Sequence, residues 1–168
     1  MVKYLIVNAD DYGLAASVSR GIRESHQRGI VTSTTVMIGM DNAAEAVQQA
    51  LKETPDLALG LHLVVAGKAM KPVLPPDQIP TLLRPDGLFY DHPAWGEHAA
   101  SFNPDEMMRE VYAQFERFVA VANRPPTHLD SHYHATYFHP TAVEAMRSLA
   151  LKHHLPLRHD RGVGSSIV

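Results

Sequence analysis

The chain has 168 residues, of which 45% are hydrophobic and 20% charged, so we expect a single globular domain over residues 1–168. It contains no cysteine, which excludes thiolate metal sites, cysteine nucleophiles and disulfides and fits a reducing compartment. A formal charge of −3 without basic clusters argues against nucleic acid, and the lack of a long apolar run or signal-peptide core predicts a cytoplasmic protein without a membrane partner.

Two strand–helix units open the chain. Residues 3–7 form an apolar run that ends at Asn-Ala-Asp-Asp, which predicts a buried strand followed by a turn. A helical spacing of apolar residues follows over 14–28. Residues 32–38 are rich in β-branched side chains and predict a second strand, after which Asp41 caps a helix that runs to about residue 54.

A third apolar run over residues 57–65 predicts a strand that carries His62. The pattern then fails over residues 66–101, where five of the twelve prolines fall. We interpret this stretch as a long excursion over an active-site face. A mobile surface insertion without function is the alternative.

The sequence NPDE at 103–106 predicts a helix start, with Asn as N-cap, Pro at the first helical position and Glu at the third. A short strand over 127–130, a helix over 139–152 and a last strand over 155–158 follow. This alternation predicts an α/β fold whose parallel sheet is joined by crossover helices, as an open sheet or a (β/α) barrel.

Polar residues cluster where three of the predicted strands end: the pair Asp10 and Asp11, then His62, then the segment HLDSHYH at 128–134. The carboxyl ends of parallel strands converge in space. Two imidazoles and a carboxylate are a common ligand set for a catalytic divalent ion. The alternatives are an Asp-capped turn for the acidic pair and a core histidine at residue 62.

Within the histidine-rich segment, alternation along an extended chain puts His128, Asp130, His132 and His134 on one face. One imidazole of this face would bind the ion and others would support it. If Asp11 binds the ion, Asp10 lies beside the reacting water and can take its proton.

The motifs NADDYG, GLHL and THLDSHYH together resemble the YdjC-like family of carbohydrate deacetylases. The resemblance implies a (β/α)-barrel-like fold as in polysaccharide deacetylases. It also implies that Asp10 is the catalytic base and that Asp11, His62 and His128 hold one divalent ion. Mg²⁺ is the ion often assigned to such proteins, and Zn²⁺ suits two imidazoles equally well.

The activity that the resemblance implies is metal-dependent hydrolysis of N-acetyl groups on a small carbohydrate substrate of the chito-oligosaccharide type. Metal-bound water would attack the acetyl carbonyl, and His132 or His134 would protonate the departing nitrogen. Two alternatives remain open: a metal-dependent phosphoesterase or other amidohydrolase, and a degenerate homologue that binds sugar without turnover.

Members of this family are usually longer than 168 residues, so we expect an incomplete barrel. The explanations left open are a truncated product, a shortened homologue and an oligomer in which a neighbouring copy covers the open edge. We favour the homo-oligomer, because an uncovered sheet edge favours aggregation. Trp95 and Tyr137 could stack on sugar rings, but packing in the core or a loop is the expected role for both.

Overall fold

The computed structural model describes residue 3 and residues 5–158 of the chain. It contains a four-stranded sheet in the order β1-β2-β3-β4, in which every neighbouring pair is parallel. The strands are β1 (Asn8–Tyr12), β2 (Ser33–Val36), β3 (Ala58–Leu63) and β4 (Leu129–Ser131). The predicted α/β fold with a parallel sheet is confirmed.

The helices follow the strands and return the chain to the same end of the sheet, as parallel pairing requires. They are α1 (Ala16–Arg28), α2 (Ala43–Glu53), α3 (His92–His98), α4 (Pro104–Ala122) and α5 (Pro140–His153). Short 3-10 turns cover Pro76–Gln78, Pro80–Leu82, Ala99–Ser101 and His132–Phe138. Contacts of α1 with α2, α2 with α4, and α4 with α5 make one continuous helical layer.

Alternation along the strands separates an apolar face of the sheet from a polar one. On β3, Leu61 and Leu63 are fully buried in the core, and His62 between them points to the opposite face. Tyr12 ends β1 on the helical side, where its hydroxyl donates to the Ala46 carbonyl of α2 at 2.8 Å. The polar face is therefore free to carry chemistry while the apolar face holds the helices.

The first strand lies later in the chain than its apolar run predicts. Leu5 and Ile6 are 79% and 78% exposed, and the strand begins only at Asn8. Asp10 and Asp11 therefore lie inside β1 rather than in a turn after it. The pairing register shifts between Ala9 and Tyr12, which marks a β-bulge at the acidic pair.

The last predicted strand, 155–158, is reduced to a single parallel bridge between Leu157 and Leu129 of β4. Ile30 is exposed, as are Leu5 and Ile6.

The structure describes a single copy of the chain, so the expected homo-oligomer stays a prediction. No helix in the described part of the chain has the length and apolar content needed to cross a membrane.

Buried polar side chains of α4 hold the excursion between β3 and α4 in place. The Glu110 carboxylate accepts hydrogen bonds from the backbone N–H groups of Val73 and Leu74 at 2.9 and 3.0 Å. Gln114 binds both backbone groups of Val64, accepting from its N–H and donating to its carbonyl. Burial raises the pKa of Glu110, and these N–H donors work against that shift.

Glu106, which the sequence placed at the third position of the helix, adds a third anchor. Its carboxylate accepts from the N–H and the hydroxyl of Thr81, at 2.8 and 2.7 Å. The N-cap itself is confirmed, since the Asn103 side chain accepts from the N–H groups of residues 105 and 106. The excursion is thus bound to one face of α4 through residues 106, 110 and 114. These contacts favour a fixed segment beside the sheet over a mobile insertion.

Replacing Glu110 with Ala should lower the free energy of unfolding by about 2–4 kcal/mol, because two partly buried backbone N–H groups lose their acceptor. Urea unfolding followed by circular dichroism measures this loss. Glu116→Ala is the matched control, an exposed Glu on the same helix whose replacement should cost less than about 0.5 kcal/mol. Equal effects of the two substitutions would show that Glu110 anchors nothing.

Candidate active site

Asp11 of β1, His62 of β3 and His132, the first residue after β4, meet at the polar face of the sheet. Asp11 Oδ1 lies 3.3 Å from His62 Nε2 and 3.2 Å from His132 Nδ1, and the two ring nitrogens are 3.3 Å apart. This nearly equilateral triangle matches the spacing of donor atoms around an ion with bonds of about 2.0–2.2 Å. Within the described residues, it is the group of acidic and histidine side chains that could hold a metal.

The hydrogen bonding of the triangle fits a metal better than a closed protein network. Among the described residues, Asp11 Oδ1 is buried without a hydrogen-bond partner, although two ring nitrogens face it. The His132 and His62 rings lower the pKa of Asp11 far below its usual value. A buried, charged oxygen that faces two imidazoles is a suitable donor set for a divalent cation.

Asp11 reaches the triangle because of the bulge in β1. Its backbone has φ of 68°, in the left-handed region that costs a non-glycine residue roughly 1–2 kcal/mol. In a regular strand, Asp10 and Asp11 would point to opposite faces of the sheet. The bulge changes the direction of the Asp11 carboxylate. The strained backbone at Asp11 is therefore what brings this carboxylate to the same face as His62 and His132.

His62 is fixed by Asp130, its register partner on β4. His62 Nδ1 donates to Asp130 Oδ1 at 2.5 Å, which leaves Nε2 directed at the triangle. Thr35 of β2 donates to the second oxygen of Asp130 at 3.1 Å. Burial alone would lower the pKa of His62, but the carboxylates of Asp11 and Asp130 raise it to about 9.

His132 occupies the first position after β4, where the strand turns into the His132–Phe138 segment. Ser131 pins this turn, because its buried hydroxyl accepts from the Thr136 N–H at 2.9 Å and donates to the Thr136 hydroxyl at 2.7 Å. Tyr133 and His134 both adopt left-handed backbone angles, with φ of 51° and 57°. Two consecutive non-glycine residues in this region are rare and mark a strained segment.

The histidine that joins Asp11 and His62 is His132, whereas the sequence motif had suggested His128. His128 shares a face with Asp130 but lies one residue before β4, towards the start of the strand. Its ring packs on Gly60, where an added Cβ would come within 2.5–2.8 Å of the ring atoms. Alternation along the strand predicts the correct face of the sheet for both histidines. The group with Asp11 and His62 forms at the carboxyl end of β4, where His132 lies four residues after His128.

Asp10 lies beside the triangle, where its carboxylate is bound by the guanidinium of Arg158. Both of its oxygens accept from Arg158 Nη1, at 2.7 and 2.8 Å, and Asn8 donates to Oδ1 at 2.7 Å. The same Arg158 nitrogen donates to Asp130 at 3.1 Å. Arg158 was not identified from the sequence, because a lone arginine 148 positions from its partner carries no local signal.

The other aromatic and imidazole candidates have different surroundings. His134 is exposed and its ring lies 6.2 Å from that of Tyr137, outside the three-residue group. The Tyr137 hydroxyl donates to the Arg158 carbonyl. Trp95 is buried against Phe102, with ring centroids 5.6 Å apart, so it packs in the core as expected.

Comparison with known proteins shows strong similarity over almost the whole chain. A model of the family described as YdjC-like protein matches residues 4–167. A carbohydrate deacetylase of Enterococcus faecalis is 36% identical over 94% of this chain and 58% of its own length. A chitooligosaccharide deacetylase of Serratia marcescens is 37% identical, covering 96% of this chain and 61% of that protein.

A solved structure shares the fold. The crystal structure of an Enterococcus faecalis protein, named as a candidate cellobiose-phosphate cleavage protein, superposes with a TM-score of 0.84 at 35% identity. The match covers 96% of this chain and 59% of that one. The chain therefore spans about three fifths of the length of the relatives it matches.

The two histidines of the THLDSHYH motif give a direct test of the ligand set. His132→Asn should weaken Zn²⁺ binding more than about 100-fold, since even supporting residues of metal sites contribute about 10–100-fold. His128→Asn should leave the affinity unchanged, because its ring faces Gly60. Competition with a chelating dye measures both affinities, and a loss confined to His128→Asn would reverse the assignment.

Asp130→Asn should weaken Zn²⁺ binding by about 10–100-fold without removing a ligand, because the amide is a poorer acceptor for the His62 N–H. Isothermal titration calorimetry gives the affinity. Asp41→Asn is the control, since that exposed carboxylate pairs with Lys71 and lies outside the three-residue group. Unchanged Zn²⁺ affinity in Asp130→Asn would mean that the hydrogen bond from His62 to Asp130 does not contribute to metal binding.

Proposed function

The chain belongs to the YdjC-like family, and on that premise we propose that it is a hydrolase that removes N-acetyl groups from small carbohydrates of the chito-oligosaccharide type. The observation that carries this proposal is the triangle of Asp11, His62 and His132 with the carboxylate of Asp10 beside it. All four side chains come from the carboxyl ends of parallel strands, where (β/α) folds place their chemistry.

In this proposal Asp11, His62 and His132 hold one divalent ion, either Zn²⁺ or Mg²⁺. The two imidazoles favour Zn²⁺ and the carboxylate suits both ions. Such an ion would activate water and polarise the acetyl carbonyl. His132 replaces His128 in the ligand set that the family motifs had suggested, for the geometric reasons given above.

Asp10 is proposed as the general base that takes a proton from the attacking water. Arg158 and Asn8 fix the carboxylate from one side, so its orientation does not depend on the substrate. A base of this kind contributes about 10²–10⁴-fold to the rate.

Protonation of the departing amine needs a second group. The sequence offered His132 and His134, and His132 is committed to the ligand triangle. His134 is therefore the proton donor in this proposal. Its strained backbone, with φ of 57°, is consistent with a functional role.

The number of metal groups bears on the alternative activities. Phosphoesterases on related scaffolds more often use two ions, with additional carboxylate or histidine ligands. The described residues bring together one group of three ligands, which favours a one-metal hydrolase. A degenerate homologue would bind an acetylated sugar and release no acetate.

The proposal is tested by acetate release from N-acetylated chito-oligosaccharides, using protein stripped by a chelator and then supplied with Zn²⁺, Mg²⁺ or Mn²⁺ singly. We expect turnover to return with one of these ions. Asp10→Asn should lower kcat by about 10²–10⁴-fold without changing metal affinity, because the base is lost and the ligands are kept. Asp41→Asn, an exposed carboxylate elsewhere, should retain activity.

Two results would contradict the proposal. Full activity in the chelated protein would exclude a metal-dependent mechanism, and full activity in Asp10→Asn would exclude that carboxylate as the base. Folded, metal-loaded protein that binds the sugar but releases no acetate would identify the degenerate homologue instead.

A further inference from the structure

A large aromatic ring stands exposed directly beside the ligand triangle. Tyr133 follows His132 in the chain, is 54% exposed, and has its ring centroid 4.1 Å from that of His132. Single exposed rings are common on protein surfaces, so the exposure of Tyr133 carries weight only together with its position. Its position next to a side chain of the triangle suggests that something in the active site uses the uncovered ring.

The backbone holds this ring in place at a cost. Tyr133 has φ of 51° and ψ of 17°, a conformation that a β-carbon disfavours and that glycine adopts freely. The hydrogen bonds between Ser131 and Thr136 close the turn on either side of it. The tyrosine ring is therefore presented by a rigid, strained turn, which is a common property of binding sites.

A second ring from the excursion completes a corner. His92, at the first position of α3, meets Tyr133 edge to face with ring centroids 5.5 Å apart and planes at 67°. The excursion that carries it is anchored on α4 by Glu110. Two independently fixed segments thus bring aromatic rings to the same side of the triangle.

We propose that Tyr133 is the platform on which a pyranose ring of the substrate stacks, with His92 as the side wall of this subsite. The inference rests on the proposed function, because it assigns the sugar-binding residue of the same site. It commits to a ligand with one apolar face and a polar rim, which describes a hexopyranose in its chair form. Tyr133 acts on binding and position, and it takes no proton.

The chemistry of both partners supports this assignment. The axial C–H groups of a β-linked glucosamine ring form an apolar face that buries well against an aromatic face, while its hydroxyl groups stay at the rim. A tyrosine ring has only two torsions to fix and loses little entropy on binding. Stacking on Tyr133 would hold the sugar next to His132, within reach of the ligand triangle.

The test separates the ring from the turn. Tyr133→Gly removes the ring and suits the positive φ, so the turn and His132 should stay in place. Tyr133→Phe keeps the ring and serves as the matched control. Acetate release from N,N′-diacetylchitobiose gives kcat and KM, and calorimetry gives the Kd of the same sugar for Zn²⁺-loaded protein carrying Asp10→Asn, in which turnover is blocked.

We expect Tyr133→Gly to raise KM and Kd by about tenfold, with kcat and Zn²⁺ affinity nearly unchanged, and Tyr133→Phe to match the unsubstituted protein in both. His92→Ala should produce a smaller rise in KM. Unchanged KM and Kd in Tyr133→Gly would overturn the platform, and so would a loss of Zn²⁺ affinity, because the tyrosine would then act through His132.

The calorimetric arm distinguishes the two proposals. Sugar binding that depends on the Tyr133 ring, together with no acetate release from the protein that keeps Asp10, would support the platform and refute the deacetylase. Acetate release with a KM that is indifferent to the ring would do the reverse. A protein that neither binds nor hydrolyses the sugar would refute both.

Discussion

The buried hydrogen bond from His62 to Asp130 is the interaction on which the site depends. It joins β3 to β4 at matched register positions, and Asp130 extends the connection to β2 through Thr35 and to Asp10 through Arg158. Burial by itself would raise the pKa of Asp130, but the hydrogen bond and charge of His62, together with the hydrogen bonds from Arg158 and Thr35, lower that pKa. One carboxylate thus sets the tautomer of His62 and also the position of the arginine that holds Asp10.

Much of this arrangement could be predicted from the sequence, because it follows from periodicity and topology. The order of strands and helices predicts a parallel sheet. Because the carboxyl ends of parallel strands converge, it also predicts that Asp11 and His62 lie close together. The N-cap at Asn103 was equally readable, since its side chain acts on its own neighbours. Features that depend on neighbouring residues or on the order of elements along the chain are therefore the ones that can be predicted from the sequence.

The features that escaped prediction depend on depth and direction. Alternation placed His128 and His132 on one face but could not say where β4 ends, and only that end decides which ring meets Asp11. Positive φ at Asp11 and Tyr133 has no signature, because neither residue is glycine. Arg158 reaches Asp10 through the closing of the fold, and that contact exists only in three dimensions.

The anchoring of the excursion on one face of α4 has a consequence for how such proteins can diversify. The ligand triangle belongs to the sheet, whereas the excursion that carries His92 is attached through Glu106, Glu110 and Gln114, mainly by bonds to its backbone. Backbone bonds are indifferent to the side chains they hold in place. The exposed residues of the segment can therefore change between the same three anchors, provided that the side chains it buries in the core, such as Phe89 and Trp95, are kept, while the triangle of Asp11, His62 and His132 stays unaltered.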